Sequence, residues 1–271
     1  MGEKTEISWC DSTFNPWVGC TKVSPACDHC YAETWAKRAG TPELWTGARR
    51  RTSQANWKQP IKWNKQAQQD GVRRRVFCAS LADVWDNQVP PEWRRDLFDL
   101  IHATPELDWL LLTKRLQNIA KMLWPAIGEA ELWPWPNVWL GVTVENQEEA
   151  VRRIPTLLAI PAVVRFLSCE PMLGHIDLFQ CAKTRMIRNT MPGLHWVICG
   201  GESGHGARAM HPDWPRALRD QCATAGVPFF FKQWGEWEAG PKLHDAPENF
   251  LMRRVGKKAA ERRLEVQAGR T

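Results

Sequence analysis

The 271-residue sequence predicts an α/β fold, a partial or complete parallel (β/α) barrel of six to seven units. Two observations lead to this prediction. Short apolar runs recur along the chain and most are followed by a segment of helical periodicity, which is the order typical of a parallel sheet covered by helices. The chain also lacks G-x-G-x-x-G after a first strand and lacks G-x-x-x-x-G-K-[ST], which argues against a dinucleotide-binding fold and a P-loop.

Each strand is predicted from an apolar run, with the first strand at 7–9 or directly after it. The later strands are predicted at Arg75–Ser80, Trp109–Thr113, Val138–Val144, Val163–Ser168, Trp196–Gly200 and Val227–Phe231. The helices between them are predicted at Pro91–Ala103, where a proline suits the first turn, at Leu116–Leu123, at Gln147–Ala159 and near Trp214–Ala225.

Polar residues gather where the predicted strands end, and that rim carries the chemistry of β/α barrels. A single acid after a strand is ordinary helix capping, and Asp83 or Ser203 alone would be assigned to it. Polar groups after every later strand are a stronger signal and predict one site. The candidates are Ser80, Asp83, Lys114, Arg115, Thr143, Glu145, Asn146, Glu170, Glu202, Ser203, Lys232 and Gln233.

Glycines and cysteines add detail to the strand ends. Gly200-Gly201 either lets a flat ligand approach the backbone closely or makes a tight turn. Alternation along the strands places Cys169 and Cys199 away from the site, packed under helices. The same alternation points Cys78 toward the site, as it does Ser80. Burial in the barrel is nevertheless the predicted role of Cys78.

Three cysteines stand close together in the run GCTKVSPACDHCYAE. Cys20, Cys27 and Cys30 have the spacing C-x6-C-x2-C. Three thiolates can hold three irons of a [4Fe–4S] cube and leave the fourth iron open for chemistry. The triplet can also hold zinc with a fourth ligand, Cys10 or His29, and thiols without metal are the third alternative. Because the triplet follows the first strand, we expect it on the same rim.

The composition predicts one large domain, residues 1–250, in the cytoplasm. The chain has no run of 18 apolar residues, and its first residues, MGEKTEISWC, are polar, so neither a membrane helix nor a secretory signal is expected. Nine cysteines without such a signal argue against a disulfide framework. The chain has seventeen tryptophans and one tyrosine. The tryptophans either pack inside the protein or stack on nucleic-acid bases, and those beside prolines are expected on loop surfaces.

The basic charge is concentrated at the end of the chain. The net charge is +6, and residues 251–271 hold seven Lys or Arg against two Glu. This predicted basic tail therefore carries +5 and leaves +1 for the first 250 residues. A basic terminal segment either contacts nucleic-acid phosphates or is simply solvated.

Seven blocks of the chain, which together span about residues 4–258, resemble in order the phage Gp37/Gp68-like family, a domain of unknown function. They are ISWCDSTFNPWVGCTKVSPACDHCYAE, VFCASLADVW, LLLTKR, VWLGVTVENQ, RFLSCEPMLG, WVICGGESG and PFFFKQWGEW. That family resembles radical S-adenosylmethionine (SAM) enzymes, nearest to spore photoproduct lyase. The shared features are a cysteine triplet ending C-x-x-C-Tyr, Asp83 after strand two, and Thr113-Lys114 at the end of strand three. The usual radical SAM spacing is C-x3-C-x2-C, so the first gap here is longer, and Cys10 stands where the phage family usually has a hydroxyl residue.

The resemblance implies a radical SAM enzyme in which Cys20, Cys27 and Cys30 ligate a [4Fe–4S] cluster and SAM binds the fourth iron. An electron from an external donor would cleave SAM and start radical chemistry, for which the lyase and the phage kinship imply a nucleic-acid base in DNA modification or repair. The implied SAM contacts are Ser80 and Asp83 for the ammonium, Lys114 for the carboxylate, Thr143 and Glu145 for the ribose, Gly200 and Gly201 for the adenine, with Glu170, Glu202 and Lys232 for SAM or substrate. Two alternatives stay open: a non-catalytic zinc- or cluster-containing protein that binds nucleic acid, and a phage interaction protein on a degenerate barrel.

Overall fold

The computed structural model of the protein describes residues 5–128, 132–181, 191–243 and 246–254. The strands in these residues are β1 (Ser12–Phe14), β2 (Trp17–Val18), β3 (Arg50–Arg51), β4 (Arg74–Cys78), β5 (Leu107–Thr113), β6 (Val138–Thr143), β7 (Val164–Cys169), β8 (Trp196–Gly200), β9 (Phe229–Gln233), β10 (Trp237–Leu243) and β11 (Ala246–Arg254). The α-helices are α1 (Tyr31–Arg38), α2 (Gln54–Trp57), α3 (Gln59–Asp70), α4 (Pro91–His102), α5 (Ile119–Ile127), α6 (Gln147–Ala159) and α7 (Asp213–Ala225). Short 3-10 turns lie at Pro25–Cys27, Pro42–Trp45, Leu116–Asn118 and Leu178–Gln180.

Seven strands form one sheet in the order β1-β4-β5-β6-β7-β8-β9. The pairs β1·β4, β4·β5, β5·β6 and β8·β9 are parallel, and in the first of these Phe14 lies opposite Cys78. Two antiparallel pairs, β2·β3 and β10·β11, stand apart from this sheet. The predicted fold class, a parallel α/β arrangement of six to seven strand–helix units, is confirmed.

The apolar runs located the sheet strands to within a few residues, and the predicted bounds of α6 and β8 match the structure. The first strand lies at Ser12–Phe14, directly after the run at 7–9, which is the second of the two expected positions. The helix predicted at Leu116–Leu123 is instead a 3-10 turn followed by α5, which continues to Ile127. Helix α3 was not predicted, because it buries only Pro60, Trp63 and Ala67 and most of its residues are polar.

The chain divides into two compact units. The first consists of Met1–Ser24, Ala32–Val142 and Thr156–Phe166, and the second of Pro25–Tyr31, Thr143–Pro155 and Leu167–Thr271. The predicted basic tail, 251–271, falls outside the described residues except for the four that end β11.

Aromatic rings fill the core of the first unit. Phe14, Trp85 and Trp109 are fully buried, and the rings of Phe14 and Trp109 meet edge to face at 5.7 Å. Trp135, expected on a loop surface from its proline neighbours, is instead buried, since its ring packs 5.8 Å from that of Phe98. Packing is therefore the role of these tryptophans, whose large apolar area contributes strongly to the core.

Strand cysteines are buried in both units, as predicted. Cys78 lies in the first unit, and Cys169 and Cys199 in the second, each with no exposed surface. Burial raises the pKa of each of these thiols, so they stay protonated at neutral pH. The Cys199 Sγ lies 3.6 Å from the Sδ of Met172, which suits a packing role.

In the described part of the chain, no helix has the length and apolarity that a membrane crossing requires.

Candidate functional site

Asp83 is the centre of a hydrogen-bond network in the first unit, in the loop that follows β4. Its carboxylate accepts from the Thr113 hydroxyl at 2.8 and 2.9 Å, from the Trp85 amide at 2.9 Å and from the Lys114 amide at 3.2 Å. The residue is buried, with 5% of its surface exposed. These donors fix a buried acid at the ends of β4 and β5, where the sequence predicted site residues.

The loop before Asp83 is held in an unusual backbone conformation. Ala79 has φ of 64°, a left-handed value that is uncommon outside glycine, and its amide donates to the Phe14 carbonyl at 2.8 Å. The Asn15 side chain fixes the next two residues, since its Oδ1 accepts from the Leu81 amide at 2.7 Å and its Nδ2 donates to the Ser80 hydroxyl at 2.9 Å. Such strain persists only where neighbouring contacts determine it, and it is common at functional sites.

Arg115 joins this acid to the first cysteine of the triplet. Its Nη1 donates to Cys20 Sγ at 3.2 Å and to the Asp83 carboxylate at 3.3 Å. Its Nη2 donates to the backbone and hydroxyl oxygens of Thr21 at 2.8 and 2.9 Å. We call Cys20, Asp83, Thr113 and Arg115 the Cys20 cluster. Sequence reasoning placed Arg115 at the strand end but gave it no role, because nothing in the residue order shows that it turns toward Cys20.

The charges of the Cys20 cluster act on one another. Burial raises the pKa of Cys20 to about 11, and the Arg115 guanidinium opposes this rise because it attracts the thiolate. Burial lowers the pKa of Arg115, but attraction to Asp83 and Cys20 outweighs burial and raises it overall. Arg115 is therefore charged at every physiological pH and favours the thiolate, which is the form that ligates a metal.

A second layer of buried charge supports this cluster. Arg49 and Asp86 form an ion pair of 2.6 Å with side chains 2% and 0% exposed. Arg94 donates to the backbone oxygens of Val84 and Asp86 at 2.9 Å each. Arg115 lies 3.9 Å from Asp86. These residues could not be predicted from the sequence, because they follow no strand end and match no motif.

In the second unit, Glu145 contacts the loop that carries the other two cysteines. Cys27 ends the 3-10 turn at Pro25–Cys27, and Cys30 directly precedes α1. The Ala26 amide donates to Glu145 Oε1 at 3.3 Å. The other oxygen of Glu145 accepts from Arg153 at 2.8 Å, and the carboxylate has no exposed surface. Both oxygens of this predicted ribose ligand thus already have partners inside the protein.

Arg208 fixes the same loop from the strand-end segment after β8. Its Nη2 donates to the Pro25 carbonyl at 2.8 Å, and its Nη1 to Asp28 at 3.1 Å. The guanidinium also pairs with the buried Glu202 at 2.6 Å, and hydrogen bonding to Glu202 raises the pKa of Arg208. Two carboxylate–guanidinium pairs therefore hold the backbone before Cys27, at Pro25 and Ala26, and the Asp28 side chain after it.

His29, which stands between the last two cysteines, packs against the same segment. A Cβ added to Gly206 would lie 2.9 Å from the Cε1 and Nδ1 atoms of the His29 ring. Gly206 also has a positive φ of 79°. A side chain at position 206 would therefore displace the imidazole and strain the backbone.

The last strands bring another group of predicted residues together. Lys232 pairs with Glu170 at 2.5 Å, and Gln233 donates to Glu170 at 3.2 Å and to Ser203 at 2.8 Å. A Cβ on Gly200 would lie 3.2 Å from the Glu170 Cδ. The Glu170 side chain therefore lies directly beside the Gly200 backbone.

Gly201 and Thr143 differ in what surrounds them. A Cβ on Gly201 would lie 2.0 Å from the Trp234 carbonyl oxygen, so backbone fills the space where a flat ligand was expected. Thr143 is 1% exposed, and its hydroxyl has no hydrogen-bond partner among the described residues. A buried hydroxyl without a partner costs free energy, and a bound ligand would supply the missing partner.

The metal-binding prediction stays open. Across 5–128, 132–181, 191–243 and 246–254, no three His, Cys, Asp or Glu side chains form a group that could hold a metal ion. Cys20 belongs to the first unit, whereas Cys27 and Cys30 belong to the second. The donor chemistry nevertheless fits an iron–sulfur cluster, because none of the three cysteines forms a disulfide and Cys20 faces a guanidinium that favours its thiolate.

The fold is that of spore photoproduct lyase. A structure of this lyase complexed with dinucleoside spore photoproduct matches 98% of this chain and 74% of its own, with a TM-score of 0.50 and 12% identity. A mutant of the lyase with bound AdoMet and the same photoproduct matches 97% and 73%, with a TM-score of 0.48 and 12% identity.

The chain belongs to a family described as proteins of unknown function (DUF5131), whose model matches residues 4–270. Comparison with curated proteins found no match. The expected likeness to spore photoproduct lyase is confirmed for the fold, and the Gp37/Gp68 name stays a prediction.

Proposed function

We propose that the protein is a radical SAM enzyme in which Cys20, Cys27 and Cys30 hold a [4Fe–4S] cluster, with SAM at the fourth iron. The observation that carries the proposal is the contact between Arg115 and Cys20, 3.2 Å long, beside the buried Asp83. Cysteine ligands bind iron as thiolates, and a fixed guanidinium stabilises that negative charge. The parallel fold, shared with a lyase of this class, supports the same conclusion.

A cluster held by Cys20, Cys27 and Cys30 together with SAM would supply one-electron cleavage of the sulfonium C–S bond, and so radical chemistry. The protein's own residues position these groups. Arg115 and Asp83 fix the surroundings of Cys20, and Arg208 and Glu145 fix the backbone that carries Cys27. The unpartnered hydroxyl of Thr143 is suited to a ligand hydroxyl, in agreement with its predicted ribose contact.

Several predicted SAM contacts have a second role in this proposal. Glu145 and Glu202 are positioning residues for the cysteine loop, since one accepts from Ala26 and the other holds Arg208. The ribose and SAM contacts first predicted for them remain predictions. Ser80 and Asp83 keep their proposed place near the SAM ammonium, and Lys114 its place near the carboxylate.

The proposed substrate is a nucleic-acid base, in DNA modification or repair. The support is the fold shared with a lyase that was solved with a dinucleoside photoproduct. An external electron donor completes the proposed reaction, and the cytoplasm supplies the reducing surroundings that such a cluster needs. The alternative, a zinc- or cluster-bearing nucleic-acid-binding protein without catalysis, uses the same three cysteines with Cys10 or His29.

Metal analysis after anaerobic reconstitution with iron and sulfide tests the proposal. We expect about four irons for each chain and loss of the cluster's absorption and electron paramagnetic resonance signals when Cys20, Cys27 or Cys30 is replaced by alanine. Cys222→Ala is the matched control, because Cys222 is a fully buried cysteine of α7. Tetrahedral zinc without iron would support the alternative, and an iron content unaffected by Cys20→Ala would contradict the proposed ligand set.

A further inference from the structure

A basic stretch in the first unit has no part in the proposed chemistry. Between residues 44 and 69 the chain has six Lys or Arg and no Asp or Glu. The body of the protein is nearly neutral by count, so this stretch concentrates positive charge in one segment. Two of its arginines are paired: Arg49 with the buried Asp86, and Arg51 with Asp96 at 2.5 Å.

Three lysines of this stretch lie on one face of a helix. Lys58 stands at the junction of α2 and α3, and Lys62 and Lys65 follow it in α3. Their spacing of i, i+4 and i+7 places them on one side, and all three are exposed. Ile61 lies on the same face and is 44% exposed. A stripe of exposed lysines around an apolar residue is suited to a large anionic partner.

A cleft of about 430 Å³ opens beside this face. Its lining consists of Arg51, Thr52, Gln54, Trp57, Lys58, Ile61 and Leu100. Every polar group in this lining is basic or neutral, and the nearby acid Asp96 is paired with Arg51. It combines two cations, a hydroxyl, an amide and an aromatic ring, which are the groups that contact the phosphates, sugars and bases of nucleic acids.

The guanidinium of Arg51, which lines the cleft, is held in place by two neighbouring side chains. Arg51 lies over the ring of Trp57, 4.3 Å from its centroid, and is paired with Asp96 at 2.5 Å. Both members of the Arg51–Asp96 pair are partly exposed, at 34% and 46%, and exposed pairs of this kind are weak. A phosphate can therefore replace Asp96 as the partner of Arg51 with little loss of free energy. Because the guanidinium is already stacked on Trp57, it loses little conformational entropy when the phosphate binds.

We propose that this surface, formed by the cleft and by Lys58, Lys62 and Lys65, binds a single-stranded nucleic acid through its phosphates. A single strand fits better than a duplex, because its unstacked bases can reach the aromatic and guanidinium groups of the cleft. This inference names a docking surface for the substrate class of the proposed function. Binding itself does not need the cluster, so it is measured on the full chain whether or not iron is present.

The test is fluorescence anisotropy with a labelled single-stranded DNA of 20 nucleotides, titrated at several salt concentrations. In the variant K58Q/K62Q/K65Q we expect affinity to fall by about tenfold or more. The slope of log K against log salt should also fall in magnitude by about 2, since three phosphate contacts on a single strand each contribute about 0.7. Glutamine resembles lysine in helix propensity, so α3 should be retained, and circular dichroism checks this.

Two full-length variants serve as controls. K121Q/R216Q/R219Q removes three exposed charges from α5 and α7 and should change affinity less than twofold. K257Q/K258Q/R262Q/R263Q lowers the net charge of the predicted tail from +5 to +1. The proposal is overturned if the control triple weakens binding as much as the α3 triple, or if the tail variant alone abolishes binding.

Binding to phosphatidylserine vesicles in place of DNA would also overturn it. A third outcome separates this proposal from the proposed function. If the iron–sulfur cluster does not form but K58Q/K62Q/K65Q still loses DNA binding, only the proposed function is refuted.

Discussion

Arg115→Met removes the cation that faces Cys20 and leaves a side chain of similar length. The guanidinium makes hydrogen bonds to Cys20, to Asp83 and twice to Thr21. Breaking a buried ion pair by removal of one partner costs about 3–5 kcal/mol. Since Asp83 keeps its bonds from Thr113 and two amides, we expect the free energy of unfolding to fall by the lower end of that range, about 3 kcal/mol.

The same variant should make Cys20 harder to ionise. A unit charge 3.2 Å from the sulfur contributes about 5 kcal/mol of attraction to the thiolate at an effective dielectric of 20. The opposing charge of Asp83 and screening by water reduce this, so we expect at least about 1.4 kcal/mol, which is a tenfold change in the thiolate fraction. The pKa of Cys20 is already about 11 in the native protein, and it should rise further without Arg115.

The assay is the rate of alkylation of Cys20 by iodoacetamide, resolved by peptide mass spectrometry on metal-free protein between pH 7 and 10. We expect alkylation at least about tenfold slower in Arg115→Met, with partial recovery in Arg115→Lys. The control is Arg95→Met, an exposed arginine of α4. Alkylation of Cys20 that is as fast as in the native protein, while the buried Cys222 stays protected, would refute the reasoning.

Three other changes probe the cysteine loop and the buried thiols. Gly206→Ala should displace the ring of His29 and lower the cluster content, whereas Gly204→Ala, also at positive φ but with open space around it, should keep the cluster. Raising the pH from 9 toward 11 should destabilise reduced metal-free protein. The folded pKa of Cys20, about 11, exceeds the unfolded value, so stability present below pH 9 is lost as the folded thiol ionises, by roughly 2–3 kcal/mol for this group. Glu145→Gln should lower the free energy of unfolding by about 1.5–3 kcal/mol, because Arg153 loses one charged partner but keeps its ion pair with Glu149.

Matched measurements decide each of these cases. Iron content after reconstitution compares the two glycine variants, and equal content would contradict the packing of His29 against Gly206. Urea unfolding at pH 8 and pH 10.5 measures the alkaline effect, and Cys20→Ala should reduce the difference between the two pH values. Glu148→Gln, an exposed acid on α6, is the control for Glu145→Gln and should change stability by less than about 0.5 kcal/mol.

The sequence predicts most of the sheet because each strand buries a continuous apolar run. The four residues Val76 to Ala79 show both the success and the limit of this. Val76, Phe77 and Cys78 lie in β4 as expected, but the left-handed conformation of Ala79 depends on contacts with Phe14 and Asn15 that are distant in sequence. Local pattern cannot indicate such contacts.

Of the residues in the candidate site, only those that follow a strand were predicted from the sequence. Asp83, Glu145 and Glu202 were found because each closes an apolar run, and all three are buried. The arginine partners of the two glutamates, Arg153 and Arg208, were missed, because a lone arginine in a sequence normally indicates a solvated surface. The charge partners of a buried acid become visible only when the fold brings distant segments together.

The measurement that tests the central claim most directly is the formation of 5′-deoxyadenosine from SAM. The reconstituted full-length protein is reduced under anaerobic conditions with SAM present, and the products are separated by chromatography. The account predicts 5′-deoxyadenosine from the native chain and none from a variant in which Cys20, Cys27 and Cys30 are alanine. Iron bound at these cysteines with SAM left intact would contradict it.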